Sequence, residues 1–418
     1  MKIPFNTSRR RGPIVAAFAI IAIAYVGLAA SQFIASWLSG RVELQSLRRA
    51  AWLDPGNAEY RDHLGRYYDL VARDPGAAVQ EYKVATQLNP HSARYWFDLA
   101  SSYQILGDTA NQTAALEQAI RADGTTPDVA WEAANLYLVQ GENEKALREF
   151  RVVIANDPSL QNVALQFCWR INPDVDAMLQ NIVPVRVDAY TSFLELLEAK
   201  EETLGATKVW DALMQAHQPF ELGYAYNYIR YLIKHKEADR AAIAWQQIAN
   251  RFGLTSYLPS SSNLIVNSNF NLKVLNAGFD WQYQKQSSVT LTLDPSDFHA
   301  GRRSLLVSFD GPGIMEAGIY QLIAVQPNTT YDFTGYYKTG EIEGAGGPHF
   351  TIQDMYTQAV YYESEELKDT GFWKSSDGEF TTGPDCKLIV LHVRRLPAGS
   401  PMRGKLWVGD FHLVRKPS

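Results

Sequence analysis

The sequence predicts a multidomain chain: an N-terminal transmembrane helix, an all-α solenoid of helical repeats and a C-terminal all-β sandwich. Three observations predict it. From Gly12 to Gly40 there is no Asp, Glu, Lys, Arg or His. Beyond that stretch, tyrosines, glycines and prolines recur with a period of about 34 residues. From Asn263 onward, apolar and polar residues alternate in short runs bounded by Gly, Pro, Asn and Asp. The averages over 418 residues fit a folded protein, with 46% hydrophobic and 20% charged residues, and exclude wholesale disorder. A net charge of -6, from 39 basic and 45 acidic residues, argues against a nucleic-acid partner. Two cysteines, Cys168 and Cys386, provide neither a disulfide framework nor a Cys-rich metal cluster.

The first element is the span, placed at residues 13–38 after a basic N-terminus, 1–12. About 20 apolar residues cross the hydrocarbon core of a bilayer, so this run is long enough with some tilt. Trp37 stands where an interfacial aromatic anchor belongs. Lys2, Arg9, Arg10 and Arg11 precede the span, and Arg41, Arg48 and Arg49, offset by Glu43, follow it. This balance puts the N-terminus in the cytoplasm and the bulk of the chain on the far side of the membrane. A cleaved signal peptide is the rival, with small residues at Gly27-Leu28-Ala29. Both readings export the rest of the chain.

The second element, residues 41–255, is the solenoid. Pro90 and Pro158 lie two periods apart, Tyr103 and Tyr137 one period, and Gly107 and Gly141 one period. The residues Trp96-x-x-Leu99-Ala100-x-x-Tyr103, Gly107, Leu116 and Ala119, then Ala134, Tyr137, Gly141, Ala146, Phe150 and Pro158, resemble the tetratricopeptide repeat (TPR) family. The unit at about Asn57–Pro90 carries one extra residue near Leu70–Pro75. Pro173 and Pro184 break the pattern between the clear repeats and two degenerate units marked by Trp210 and Trp245. The resemblance implies stacked helix pairs with a concave groove for a protein partner. Its groove positions here are Arg94, Phe97, Ser101, Gln104, Asp128, Trp131, Asn135 and Leu138. Phe97 and Trp131 occupy one repeat position, either as anchors for a partner segment or as packing between repeats.

A linker at 256–262 leads to the third element, residues 263–418. Alternation at Ser288–Leu293, Ser304–Phe309, Tyr331–Tyr337, Lys387–Val393 and Leu406–Leu413 predicts half-buried antiparallel strands. Their number and spacing suit a jelly-roll sandwich. Asn263–Phe270, Gly278-Phe279-Asp280-Trp281, His299–Leu305, Gln321–Tyr331 and Trp407–Leu413 resemble carbohydrate-binding modules of the galactose-binding-like jelly-roll class. In that family Asn263–Phe270 is the first strand and Trp281 a core residue. The resemblance also implies a structural calcium near the first and last strands, with Asn267, Asn269 and Asp410 as the matching positions. Asn271 stands where the family often has an acidic residue, one negative charge fewer for a hard cation. Beyond calcium no cofactor is implied.

Sugar binding needs aromatic faces for stacking and planar polar groups for hydroxyls. Tyr336, Tyr356, Tyr361, Tyr362 and Trp373 are the candidates, with capping of the sandwich core as their other role. No phosphate loop, dinucleotide fingerprint, nucleophile elbow or His-x-x-x-His pair occurs. The sequence therefore reads as a non-enzyme. Its architecture resembles membrane-anchored TPR proteins with a terminal carbohydrate-binding-like domain, scaffolds expected in exopolysaccharide or O-antigen assembly or export. An accessory subunit of a carbohydrate-active enzyme, or an assembly factor for a secretion or pilus complex, is the alternative.

Overall fold

The computed structural model describes residues 8–417 except 312, 314, 369 and 397–399, with the side chains of 8–11 and 396 also left undescribed. The basic residue Lys2 and the side chains of Arg9, Arg10 and Arg11 lie outside the described residues. The chain divides into two compact units, 1–216 and 217–418.

The first unit is helical. Helix α1 (Ser8–Ser39) contains the apolar run, and its Gly12–Ser39 portion is long and apolar enough to cross a membrane. From Gly12 to Ile34 its residues are exposed apart from half-buried Ile14 and Ser31, and Ala35 is buried with Leu47, Ala50, Ala51, Tyr60 and Leu64 of α2 (Leu44–Leu53) and α3 (Ala58–Arg66). The next helices are α4 (Pro75–Leu88), α5 (Ala93–Leu106), α6 (Thr109–Ala122), α7 (Pro127–Gln140) and α8 (Asn143–Asn156). Local chemistry sets their ends. Asp74 and Asp108 accept the backbone N–H three residues on, capping α4 and α6. Gly107 and Gly141 end α5 and α7 at φ 73° and 78°, a conformation that costs glycine nothing.

The extra residue of the first repeat is absorbed inside the helix. Tyr67–Ala72 forms a π-helical turn, and Arg73 closes it in the left-handed region at φ 54°. The proline-broken region forms α9 (Gln161–Ile171) and a short α10 (Val175–Asn181). The unit ends with α11 (Val187–Ala199) and α12 (Thr203–Gln215). Ala78, Ala85, Ala100, Ala119, Ala134 and Ala146 are fully buried, as close helix approach requires.

The second unit joins a helix pair, α13 (Leu222–Lys234) and α14 (Ala238–Phe252), to the sandwich. Trp245 of α14 is buried against Gly278, where a Cβ would sit 2.3 Å from the indole. Its Nε1 donates to the Tyr257 carbonyl, and Tyr257 Oη donates to that of Lys273. Asp239 of α14 pairs with Lys387 at the edge of the sandwich.

Ten strands follow: β1 (Gln282–Tyr283), β2 (Val289–Asp294), β3 (Ser304–Gly311), β4 (Glu316–Ala324), β5 (Thr330–Gly344), β6 (Gly347–Asp354), β7 (Val360–Glu363), β8 (Lys374–Thr381), β9 (Leu388–Leu396) and β10 (Met402–Arg415). They pair antiparallel in two five-stranded sheets, β1-β4-β9-β6-β7 and β2-β3-β10-β5-β8, as a jelly-roll sandwich does. Between the sheets lie Phe270, Trp281, Val307, Phe333, Phe350, Ile352, Leu391, Leu406 and Phe411. Residues 263–270 depart from the expected first strand and form no ladder. Asn267 and Phe270 take positive φ, which breaks the extended run, and Asn263 brackets β10 through Phe411 O and Leu413 N.

Candidate functional site

Strand alternation sends every second residue of the first sheet away from the core. Ile319, Leu391, Val393, Phe350 and Ile352 face inward, so Tyr320, His392 and Thr351 face outward. Register aligns these outward residues. Gln282 lies opposite Tyr320, Tyr320 opposite His392, His392 opposite Thr351, and Thr351 opposite Glu363. One polar row therefore crosses all five strands.

The row is held by its own hydrogen bonds. Tyr320 Oη donates to Gln282 Oε1 at 3.0 Å, and Gln282 Nε2 donates to the Gly278 carbonyl at 2.8 Å. Glu316 lies between two basic side chains, with Oε2 3.0 Å from His392 Nδ1 and Oε1 2.8 Å from Arg394 Nε. Arg394 also donates to Gln353, whose amide donates to Gln358. Three atoms here, Thr351 Oγ1, His392 Nε2 and Arg394 Nε, are buried without a hydrogen-bond partner in the protein, and Thr351 and His392 are 0% and 7% exposed. Nδ1 is turned to the Glu316 carboxylate, which leaves Nε2 as the other polar atom of the ring. The threonine hydroxyl can donate and accept.

The aromatic candidates fall elsewhere. Tyr336 and Trp373 come together on the outer face of the second sheet, under the β2–β3 loop. His299 of that loop stacks on Tyr336 at 3.7 Å, and its Nδ1 lies 2.8 Å from Asp410. Trp373 Nε1 donates to Asp297 at 3.0 Å, as does Lys338 Nζ at 2.5 Å. These groups hold the loop down. Tyr361 stacks on Phe380, and its Oη accepts from Gly383 N. Tyr362 packs on Phe333 and reaches Ser376 at 2.8 Å. The Tyr356 hydroxyl is buried in the β6–β7 turn, and burial pushes its pKa up to about 12.

The calcium positions are occupied by protein contacts. The Asn267 side chain bonds both backbone polar groups of Leu272. Asp410 lies between His299 and His412. The Arg303 guanidinium donates to the carbonyls of Phe270 and Leu272. A cationic side chain thus takes up backbone oxygens beside the expected site, and the residues present do not fit a hard divalent cation. Among the described residues no group of three or more His, Cys, Asp or Glu is gathered for a metal. Burial pushes both thiols, Cys168 and Cys386, up to about 12, and both are free.

In the helical unit, Phe97 is buried, and Trp131 packs edge-on against Phe150 and Phe167. Arg94, Gln104 and Asp128 are exposed; Ser101, Asn135 and Leu138 are half-buried. The Asn135 amide donates to the Trp131 carbonyl. The sequence reading missed Gln282, Glu316, Tyr320, Thr351, His392 and Arg394. Their signal is polar residues at the outward parity of otherwise apolar strands, as in Phe350-Thr351-Ile352-Gln353 and Leu391-His392-Val393-Arg394.

Residues 262–396 match the family model described as carbohydrate binding domain. The C-terminal domain is a β-sandwich of this carbohydrate-binding-module kind. Among solved structures, the chain is similar to one described as "CBM4 structure and function", 15% identical, covering 36% of this chain and 99% of that one at TM-score 0.29. It is similar to MamA, 20% identical over 41% of this chain and 85% of that one, TM-score 0.24. It is also similar to PilF of Pseudomonas aeruginosa, 17% identical over 54% of this chain and 92% of that one, TM-score 0.25. No curated protein matches the chain.

Proposed function

We propose that the chain is a non-catalytic, membrane-anchored adaptor whose sandwich holds a glycan along the Gln282–Glu363 row and whose helical repeats hold a protein. The observation that carries the reading is the pair of unpaired buried groups, Thr351 Oγ1 and His392 Nε2, within the segment that matches the carbohydrate binding domain. A buried polar group without a partner costs about 1–3 kcal/mol, and a sugar hydroxyl recovers that cost on binding. The apolar helix supports anchoring, with the N-terminus in the cytoplasm and the two units in the periplasm. The finer role is in exopolysaccharide or O-antigen assembly or export, a reading supported by the combination of anchor, repeats and sandwich.

The test uses the full chain in detergent micelles against soluble β-glucan, xylan and alginate, followed by affinity electrophoresis. Retardation by at least one polysaccharide, lost in His392→Ala, is expected. Retardation by none, or retardation untouched by His392→Ala, removes the row as a glycan site.

A further inference from the structure

The first helices of three successive pairs, α3, α5 and α7, carry a stripe of charge that packing does not explain. Asp62 and Arg66 lie on α3, Arg94 and Asp98 on α5, and Asp128 and Glu132 on α7. Asp98 and Glu132 occupy the same place in consecutive repeats. Arg66 is the internal counter-ion, with NH2 2.8 Å from Asp98 Oδ2 and Nε 3.2 Å from Asp62 Oδ2. The next cation, Arg94, is 58% exposed and only approaches Asp62, at 3.9 Å.

Asp62 is the telling residue. It is 1% exposed, and neither carboxylate oxygen has a hydrogen-bond partner. Burial and the neighbouring Asp98 carboxyl push its pKa up to about 7. Glu132 is also raised, by burial first and then by the charges of Asp98 and Asp128. Four carboxylates thus face two guanidinium groups, and one of the four is buried without a proper donor. The stripe offers little to an apolar anchor, because Phe97 is buried and Trp131 is engaged with Phe150 and Phe167.

We propose that this stripe is the docking surface for a protein segment bearing arginine or lysine, whose cation enters among Asp98, Asp128 and Glu132 and balances the excess of carboxylates over Arg66 and Arg94. The proposal rests on the adaptor reading and gives the partner's chemistry. A guanidinium offers several donors in one plane and matches carboxylates on adjacent helices. Much of the attraction is long-range and falls with salt.

The test uses the full chain in nanodiscs of uncharged phosphatidylcholine, with fluorescein-labelled hexa-arginine amide and hexa-glutamate as probes. Fluorescence anisotropy is expected to show salt-sensitive binding of hexa-arginine and none of hexa-glutamate. Asp98→Asn with Glu132→Gln should weaken hexa-arginine at least tenfold. Glu144→Gln with Glu195→Gln, which removes as much charge elsewhere on the unit, should change it less than twofold. Asp128→Lys, at an exposed position, gives the same loss without touching a buried group, should the first pair impair folding. Equal loss in both double variants, no loss in Asp128→Lys, or equal binding of hexa-glutamate overturns the proposal. Retardation of the same preparation by polysaccharide, scored separately, tells failure of this surface from failure of the adaptor reading.

Discussion

Thr351→Val should stabilise the protein and weaken its glycan binding. Thr351 sits mid-strand in β6, fully buried, opposite His392 and Glu363, with Oγ1 unpaired. Valine keeps the β-branched shape and replaces the hydroxyl with a methyl. An unpaired buried hydroxyl costs about 1–3 kcal/mol, so the lower end gives a gain of about 1 kcal/mol without ligand. In a unit of this size that raises the melting temperature by about 2–4 °C. With glycan bound, the variant lacks one hydrogen bond worth about 0.5–1.5 kcal/mol, which weakens the Kd about 2- to 12-fold. Calorimetry of the full chain with and without the retained polysaccharide reads both effects. The wild-type protein should gain more from ligand than the variant, and the melting curves should cross as ligand is added. A variant that melts lower than wild type and binds as tightly would falsify the reasoning, because it would place the hydroxyl in a structural bond.

Three further predictions concern other parts of the molecule. Gly278→Ala puts a methyl into the Trp245 indole at φ 61°, and the strain plus overlap should cost about 2–4 kcal/mol, read by urea denaturation of the second unit; a loss under about 0.5 kcal/mol would mean the indole does not hold that seat. Asp62→Asn tests the buried carboxyl. Its folded pKa of about 7 lies above the ordinary aspartate value of 3.8, so the folded state binds the extra proton and stability declines as pH rises from about 4 to about 7. The variant should flatten that decline, and an unchanged slope of the urea midpoint against pH counts against it. Trp373→Phe removes the indole donor to Asp297, which should cost about 1 kcal/mol of stability and leave polysaccharide retardation within twofold. A tenfold loss of affinity would move the glycan site to the second sheet.

Much of the fold was legible because it rests on period. The 34-residue recurrence places the helix pairs, and even the extra residue near Leu70–Pro75 leaves its mark as a π-turn at Tyr67–Ala72. Alternation places the main strands. It fails at Asn263–Phe270, where two positive-φ residues undo a run that reads as extended. The candidate site was legible only in part, for a physical reason. A search for sugar contacts selects aromatic rings, yet a ring also buries large area, and Tyr336, Tyr361 and Tyr362 are used to pack loops and sheet edges. The polar row spreads over five strands from Gln282 to His392, one residue per strand. Register alone assembles it, and register depends on pairing partners that one sequence does not state.

The same logic joins the anchor to the acidic stripe. The apolar surface of α1 is exposed through Phe33 and Ile34, while Ala35 one residue on is fully buried against α2 and α3. The residues between α1 and α2 form a tight turn in which Glu43 N donates to Arg41 O, and the Arg41 guanidinium lies 3.8 Å over the Trp37 ring. Bilayer-length helix and first repeat therefore share one core, with no flexible segment between them. Tyr60 and Leu64 of α3 belong to that core, and Asp62 and Arg66 lie on the same helix. The helix that opens the acidic stripe is thus packed onto the end of the long apolar helix.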